Sequence, residues 1–182
     1  MFKKVAVTLA VILLLAVVTL VVYANGDRSM QVNWKIAGPI MNDIQITDAE
    51  APGDYSLLNL SAKGAPGNAT IMAVGTGEKQ DEVDEQCPGA NVQVKFENGG
   101  FVAVFEDQSM LYFTIDESEE AQNALCITFG SDTVGAFEYN ITGGAGRFDG
   151  ATGHVLVTTT SWGITPVLSA EKGNIVGTIE LP

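Results

Sequence analysis

The chain has 182 residues, with 22 acidic and nine basic side chains and a formal net charge of −13 at pH 7. A surface this acidic repels phosphate backbones and anionic lipid surfaces, which excludes nucleic acid and membrane surfaces as partners of the folded part. Hydrophobic residues make up 46% of the chain, enough to bury a core in one domain.

The N-terminal segment has the features of an export signal. Lys3 and Lys4 precede an apolar run over residues 5–23, and the run ends in Val22-Tyr23-Ala24. This order predicts a signal peptide, residues 1–24, that is cleaved after Ala24. The alternative is an uncleaved membrane anchor, because 19 residues in a helix nearly span a hydrocarbon core of about 30 Å.

Either alternative places residues 25–182 outside the cytoplasm as a single domain. The domain is therefore expected to be secreted or periplasmic, or held at the membrane through the N-terminal segment alone. Without residues 1–24, seven basic and 22 acidic side chains remain, a net charge of −15.

The rest of the chain consists of short β-branched and aromatic runs separated by Gly, Pro, Asn and Asp, a pattern typical of an all-β domain. No helical period follows Tyr23, so almost no helix is expected apart from one turn within residues 116–123. Strand spacing alone allows a barrel or a sandwich. Strands are predicted at residues 31–37, 55–62, 69–75, 91–97, 101–106, 110–115, 124–129, 134–141, 154–162 and 174–181.

Residues 91–97 alternate, with Val92, Val94 and Phe96 on one face and polar residues, including Gln93, on the other. Because Asn98-Gly99-Gly100 comes next, a β-hairpin with residues 101–106 is predicted. Residues 110–115 are apolar on both faces, which indicates that the outer face packs on another subunit.

Two cysteines in an exported domain most simply pair with each other. Cys87 opens a Cys-Pro-Gly turn and Cys126 lies in an apolar strand, so a disulfide between them is predicted. No metal site or cofactor is predicted, because His154 is the only histidine and no neighbour in the sequence completes a ligand set. Acidic clusters at residues 81–85 and 116–120 are interpreted as solvated loops in preference to Ca²⁺ sites.

Residues 141–153 form the most distinctive stretch of the chain. Its glycines mark a backbone that turns tightly, and it is predicted to connect two neighbouring strands, with Phe148 and Ala151 pointing inward. A dinucleotide fingerprint is excluded, because Asp149 occupies the place of the third glycine and no helix follows. The residues assigned to this structural turn are Gly143, Gly144, Gly146, Phe148, Gly150 and Gly153.

This stretch resembles the Ile-Thr-Gly-Gly-Ser/Thr-Gly-x-Phe-x-Gly-Ala-x-Gly signature of the allene oxide cyclase-like barrel superfamily, which includes the dirigent proteins. Ala145 replaces the usual Ser or Thr. Residues 60–70 and the Cys87-Pro88-Gly89 turn also look like a group of uncharacterised exported bacterial proteins. The resemblance implies an antiparallel barrel of about eight strands, often trimeric, with a cavity for an apolar ligand. It carries over no catalytic residue.

A few side chains are candidates for a site inside such a barrel. Glu138 alternates with apolar neighbours; pointing inward it would be a desolvated general acid or base, and the alternative is that it faces water. Trp34, Tyr112 and Trp162 are predicted to line a ligand cavity, with Arg147 at its mouth.

The sequence therefore predicts an exported β-barrel that binds a small apolar ligand, assembles with its own copies, or serves as a non-enzymatic structural module with a filled interior. The alternative is an isomerase-like or dirigent-like protein that steers a reactive intermediate inside the barrel.

Overall fold

The computed structural model describes residues 28–46, 53–165 and 167–182, so the predicted signal or anchor segment lies outside the described residues. Helix in these ranges is limited to a three-residue 3₁₀ turn, Gly146–Phe148, and no helix among them could cross a membrane. The strands are β1 (Arg28–Ile46), β2 (Gly53–Ala65), β3 (Ala69–Lys79), β4 (Val92–Phe105), β5 (Met110–Ile115), β6 (Asn123–Ile127), β7 (Thr133–Ala145), β8 (Thr152–Thr165) and β9 (Leu168–Leu181).

The strands form one antiparallel sheet that closes into a barrel. The order is β3-β2-β1-β9-β8-β7-β5-β4, and pairing of β4 with β3 joins the two ends. β6 also pairs with both β4 and β7, so β5 and β6 occupy one strand position in succession. The barrel thus has eight strand positions, which confirms the predicted barrel and excludes the sandwich.

The segment between β5 and β6 leaves the sheet and returns to it. Ile115 pairs with Tyr139 and Asn123 pairs with Phe137, so residues 116–122 form an excursion opposite Glu138. The predicted helical turn there is a single hydrogen-bonded turn, in which the Ala121 amide donates to the Ser118 carbonyl over 3.1 Å.

The predicted hairpin at Asn98-Gly99-Gly100 is wrong, because β4 runs straight through these residues. Gly99 pairs with Gly75 of β3, next to a bulge between Thr76 and Gly77. A Cβ at Gly100 would lie 2.7 Å from the Phe113 carbonyl oxygen. The glycine pair therefore permits a close approach of neighbouring strands, and the two predicted strands are one.

Aromatic side chains fill one end of the barrel, which we call the packed end. Trp34 is fully buried, and its indole N–H donates to the Gly67 carbonyl over 2.7 Å. Phe105 packs between Trp34 and Phe148 in tilted orientations, with ring centroids 5.8 and 4.7 Å away. Phe148 and Ala151 are buried, as predicted. Large buried side chains therefore occupy this end of the interior.

The glycine-rich stretch connects β7 to β8, as predicted. Gly146 and Gly150 have φ of 68° and 72°, a region that side chains resist. At Gly144 a Cβ would lie 2.4 Å from the Phe148 carbonyl oxygen, so the turn folds directly onto the strand. The stretch therefore closes the packed end, which is a structural role.

The loop between β3 and β4 covers part of the outer wall, and the disulfide holds it there. Cys87 and Cys126 are bonded, with their Cα atoms 5.3 Å apart, which confirms the predicted pairing. Gln93 was expected on a wet face but is fully buried beneath this loop. Its amide accepts from the Asp84 N–H over 2.8 Å and donates to the Asp84 carboxylate over 2.9 Å.

Replacing both cysteines by alanine is expected to lower the free energy of unfolding by about 4 kcal/mol, because the cross-link closes a loop of 39 residues. Urea unfolding of the double variant and the parent protein measures the difference. Replacing Ser131, an exposed residue in a neighbouring loop, by alanine is the control and should change little. Equal stability of the double variant and the parent would contradict the prediction.

Candidate functional site

The end of the barrel opposite the packed end encloses a cavity of about 520 Å³. Its walls come from β1, β2, β3, β4, β6, β7, β8 and β9. Most of the lining side chains are aliphatic or aromatic. They include Ile36, Leu58, Leu60, Ile71, Ala73, Val94, Phe96, Phe101, Leu125, Phe137, Val157 and Ile175.

Two aromatic pairs shape one side of the cavity. Phe96 and Phe137 meet edge to face, with centroids 5.3 Å apart and an interplanar angle of 80°. Phe101 and Tyr139 form a second edge-to-face pair at 4.9 Å and 74°. These pairs hold the aromatic walls in fixed orientations, so the space between them is preformed.

Glu171 is the one carboxyl in the described lining of this cavity. It lies on β9 between Gly38 of β1 and Ser161 of β8, and only 5% of the residue is exposed. Burial raises the pKa of Glu171 to about 7, because the charged form loses its hydration. At neutral pH the group is therefore divided between its acid and its carboxylate.

The polar atoms around Glu171 are incompletely paired. Oε2 of Glu171 and Oγ1 of Thr159 have no partner with hydrogen-bond geometry among the residues that the structure describes. The Thr159 hydroxyl is close enough to lower the carboxyl pKa slightly, an effect that the desolvation outweighs. Burial, with a contribution from Glu171, raises the pKa of the Tyr139 phenol, which therefore stays protonated. Apart from their weak interaction with each other, Oε2 of Glu171 and Oγ1 of Thr159 are available to hydrogen-bond a ligand.

The four residues predicted to bind a ligand lie elsewhere. Trp34 belongs to the packed end, while Tyr112 and Trp162 are about two-fifths exposed on the outer wall. Arg147 stacks on Phe105 and Phe148 and pairs with Asp107 over 3.6 Å, outside the packed end. A ligand in the cavity would touch none of the four, and their binding roles remain predictions without support from the cavity's position.

Glu138, the catalytic candidate of the sequence analysis, lies on the outer wall of β7. Its neighbours Phe137 and Tyr139 face the interior, and its carboxylate is 3.3 Å from Nε2 of His154. Glu138 therefore does not point into the barrel, and the alternative that it faces water is the one found. The desolvated carboxyl inside the barrel is Glu171.

His154 also lies 4.0 Å from the Asp116 carboxylate, and one ligand atom from each of Asp116, Glu138 and His154 falls within 4.8 Å of the others. Such a set could hold a divalent cation. Each carboxylate already has partners, however, since hydrogen bonds from Ser118 keep the pKa of Asp116 below its usual range and Glu138 pairs with His154. The cluster needs no ion to be satisfied.

Glu171 was absent from the residues predicted for the site, although the sequence contains a signal for it. The predicted strand began at residue 174, but the alternation of Ile175 and Ile179 extends back to Glu171 without interruption. Counting in steps of two from these isoleucines places Glu171 on the buried face. The low apolar content of residues 168–174 concealed this part of the strand.

Comparison with known proteins gives only structural neighbours. No protein-family model matches the chain, and no curated protein matches it. The pterocarpan synthase dirigent protein PsPTS1 superposes with a TM-score of 0.47 and 10% identity, over 85% of this chain and 97% of that one. A second, GePTS1, gives 0.44 and 11%, over 86% and 90%. Both neighbours are dirigent proteins, and their likeness to this chain concerns the fold alone.

Replacing Glu171 by glutamine is expected to change how stability depends on pH. Because the folded pKa of about 7 lies above the ordinary value of 4.5, Glu171 destabilises the native state increasingly as pH rises through this interval. Relative to the parent, Glu171→Gln should therefore gain roughly 3 kcal/mol between about pH 4 and pH 8.

Urea unfolding across this pH range measures the gain. Glu180→Gln, on the same strand but exposed, is the matched control and should show no comparable pH dependence. Parallel pH profiles for the parent and Glu171→Gln would show that the Glu171 carboxyl is not desolvated.

Proposed function

We propose that the protein is an exported barrel that binds a small, mainly apolar molecule in the cavity beside Glu171. The observation that carries this proposal is the 520 Å³ cavity with its preformed aliphatic and aromatic walls. Ligand pockets in proteins typically enclose about 300–1,000 Å³ and combine apolar walls with a few polar groups. This cavity has that size and that composition.

The contrast between the two ends supports ligand binding over a purely structural module. At the packed end, the large side chains of Trp34, Phe105 and Phe148 are buried in the interior. At the other end, small side chains stand between large ones, as where Ala73 lies between its paired neighbours Leu58 and Phe101. A filled structural barrel would gain dispersion energy from larger side chains there.

Export is the second part of the proposal. The basic and apolar N-terminal sequence supports it, and the Cys87–Cys126 disulfide is of the kind that persists in oxidising compartments. The described strands need no cofactor or metal for the proposed binding, since the lining itself supplies both apolar area and hydrogen-bonding groups.

Self-association is a further part of the proposal, supported by the outer wall. Met41, Leu57 and Val74 are paired across β1, β2 and β3, and they are 55%, 39% and 40% exposed. An apolar row of this kind is more stable when covered than when hydrated. A second copy of the chain would cover it, as the resemblance to often trimeric barrels implies.

Native mass spectrometry of the mature protein from its own source tests ligand and assembly together. The expected result is a mass excess that releases an apolar compound, on a species heavier than one chain. Ala73→Trp should lose that mass excess and bind the neutral dye Nile red about tenfold more weakly, because the indole occupies the cavity.

Met72→Trp is the matched control for this experiment. Met72 is adjacent in sequence but half exposed on the outer wall, so the same side chain added there leaves the cavity open. Equal dye affinity for the two variants would exclude the cavity as the binding site. An apo mass with no dye binding by the parent would favour the filled structural barrel.

A second candidate function, the steering of a reactive intermediate, is favoured by Glu171. A carboxyl with a pKa near 7 in an apolar cavity can donate or accept a proton at neutral pH. If the compound released from the protein is converted on incubation with it, Glu171→Gln should slow the conversion about a hundredfold or more and leave binding intact. Conversion at the parent rate by the variant would exclude proton transfer by Glu171.

A further inference from the structure

The titratable groups in the described lining of the cavity are all acids. Glu171 and Tyr139 are its titratable groups, and no lysine, arginine or histidine occurs in the described lining. Lys35 and Lys172, the nearest basic residues in the paired strands, are exposed on the outer wall, where the Lys172 ammonium lies over the Trp162 ring. Nothing in the lining neutralises a carboxylate at Glu171.

A bound ligand can stabilise the Glu171 carboxyl by supplying a hydrogen bond that the protein does not. In the part of the chain that the structure describes, no group has full hydrogen-bond geometry with Oε2 of Glu171, and a buried oxygen without a partner is unfavourable whether the group is neutral or charged. A neutral ligand could provide one hydrogen bond to the acid form. A ligand ammonium provides both N–H donors and the opposite charge, and a carboxylate ligand would be repelled.

The aromatic walls favour the same ligand chemistry. Phe101 and Tyr139 stand edge to face on the cavity side, and Glu171 is near enough to influence the phenol electrostatically. Aromatic faces attract organic ammonium groups, and they also pack on the ligand's apolar body. The net negative charge of the whole chain raises the local concentration of cations further.

We infer that the cavity selects small organic amines with an apolar body, the ammonium group bound by Glu171 and the body held between the aromatic walls. This inference rests on the proposed ligand binding and adds the chemical class of the ligand. Amines should bind more tightly than alcohols of the same shape, and alcohols more tightly than carboxylates.

Three probes with one aromatic body test the selection: naphthylethylamine, naphthylethanol and naphthylacetate. Isothermal titration of the mature, disulfide-bonded protein near pH 8 should give about tenfold or more tighter binding for the amine than for the alcohol, with the acid weakest. In Glu171→Gln the amine and the alcohol should bind with affinities within about threefold of each other, because glutamine hydrogen-bonds without charge.

Glu180→Gln is the control variant, since it removes a carboxylate from the exposed face of the same strand and should keep the preference for the amine. Circular dichroism confirms that both variants are folded. Equal binding of amine and alcohol by the parent protein would overturn the inference, as would a preference for the amine that survives in Glu171→Gln.

Nile red separates failure of this inference from failure of the proposed function. Binding of the neutral dye and the alcohol without preference for the amine would leave ligand binding standing and remove the amine selection. If neither the dye nor any of the three probes bound, both proposals would be overturned together.

Discussion

Pairing of β3 with β4 closes the sheet, and the rest of the structure depends on that closure. An eight-position barrel bends its strands strongly, and the backbone must approach closely where it bends. The glycine pair in β4 permits this, because a side chain at Gly100 would collide with the Phe113 carbonyl. Once the sheet is closed, its inner face is shielded from water, and Glu171 is among the side chains buried there.

Side chains fill the interior of the closed barrel at one end and leave a cavity at the other. Large aromatic side chains and the glycine-rich turn close the packed end, where Trp34 satisfies its one polar atom on the Gly67 carbonyl. The opposite end has alanine, serine and glycine among its lining residues. A stable packed end can support the end that holds the cavity, since all strand positions except that of β5 and β6 are continuous from one end to the other.

The sequence predicted the barrel but not its interior, for physical reasons. The glycine-rich turn and the strand around Val94 and Phe96 were predictable, because local backbone conformation and alternating burial both leave a direct pattern in the sequence. Asn98-Gly99-Gly100 was misread because glycines that permit a close strand approach look the same as glycines that make a turn. Trp34 was assigned to the ligand cavity because composition does not distinguish the packed end from the open one.

The Oε2 atom of Glu171, which lacks a hydrogen-bond partner among the described residues, is the strongest argument that the cavity binds a ligand. A buried carboxyl opposes folding at neutral pH, and leucine or glutamine at this place on β9 would remove that cost. Another deeply buried polar side chain, Gln93, is satisfied by two hydrogen bonds to Asp84. The difference between the two sites is explained if Gln93 has a structural role and the hydrogen-bond partner of Glu171 is a bound ligand. Glu171, which the fold leaves unsatisfied in an otherwise apolar cavity, is then the group that recognises the ligand. Its burial lowers the stability of the free protein, and a ligand that pairs with it recovers that free energy on binding.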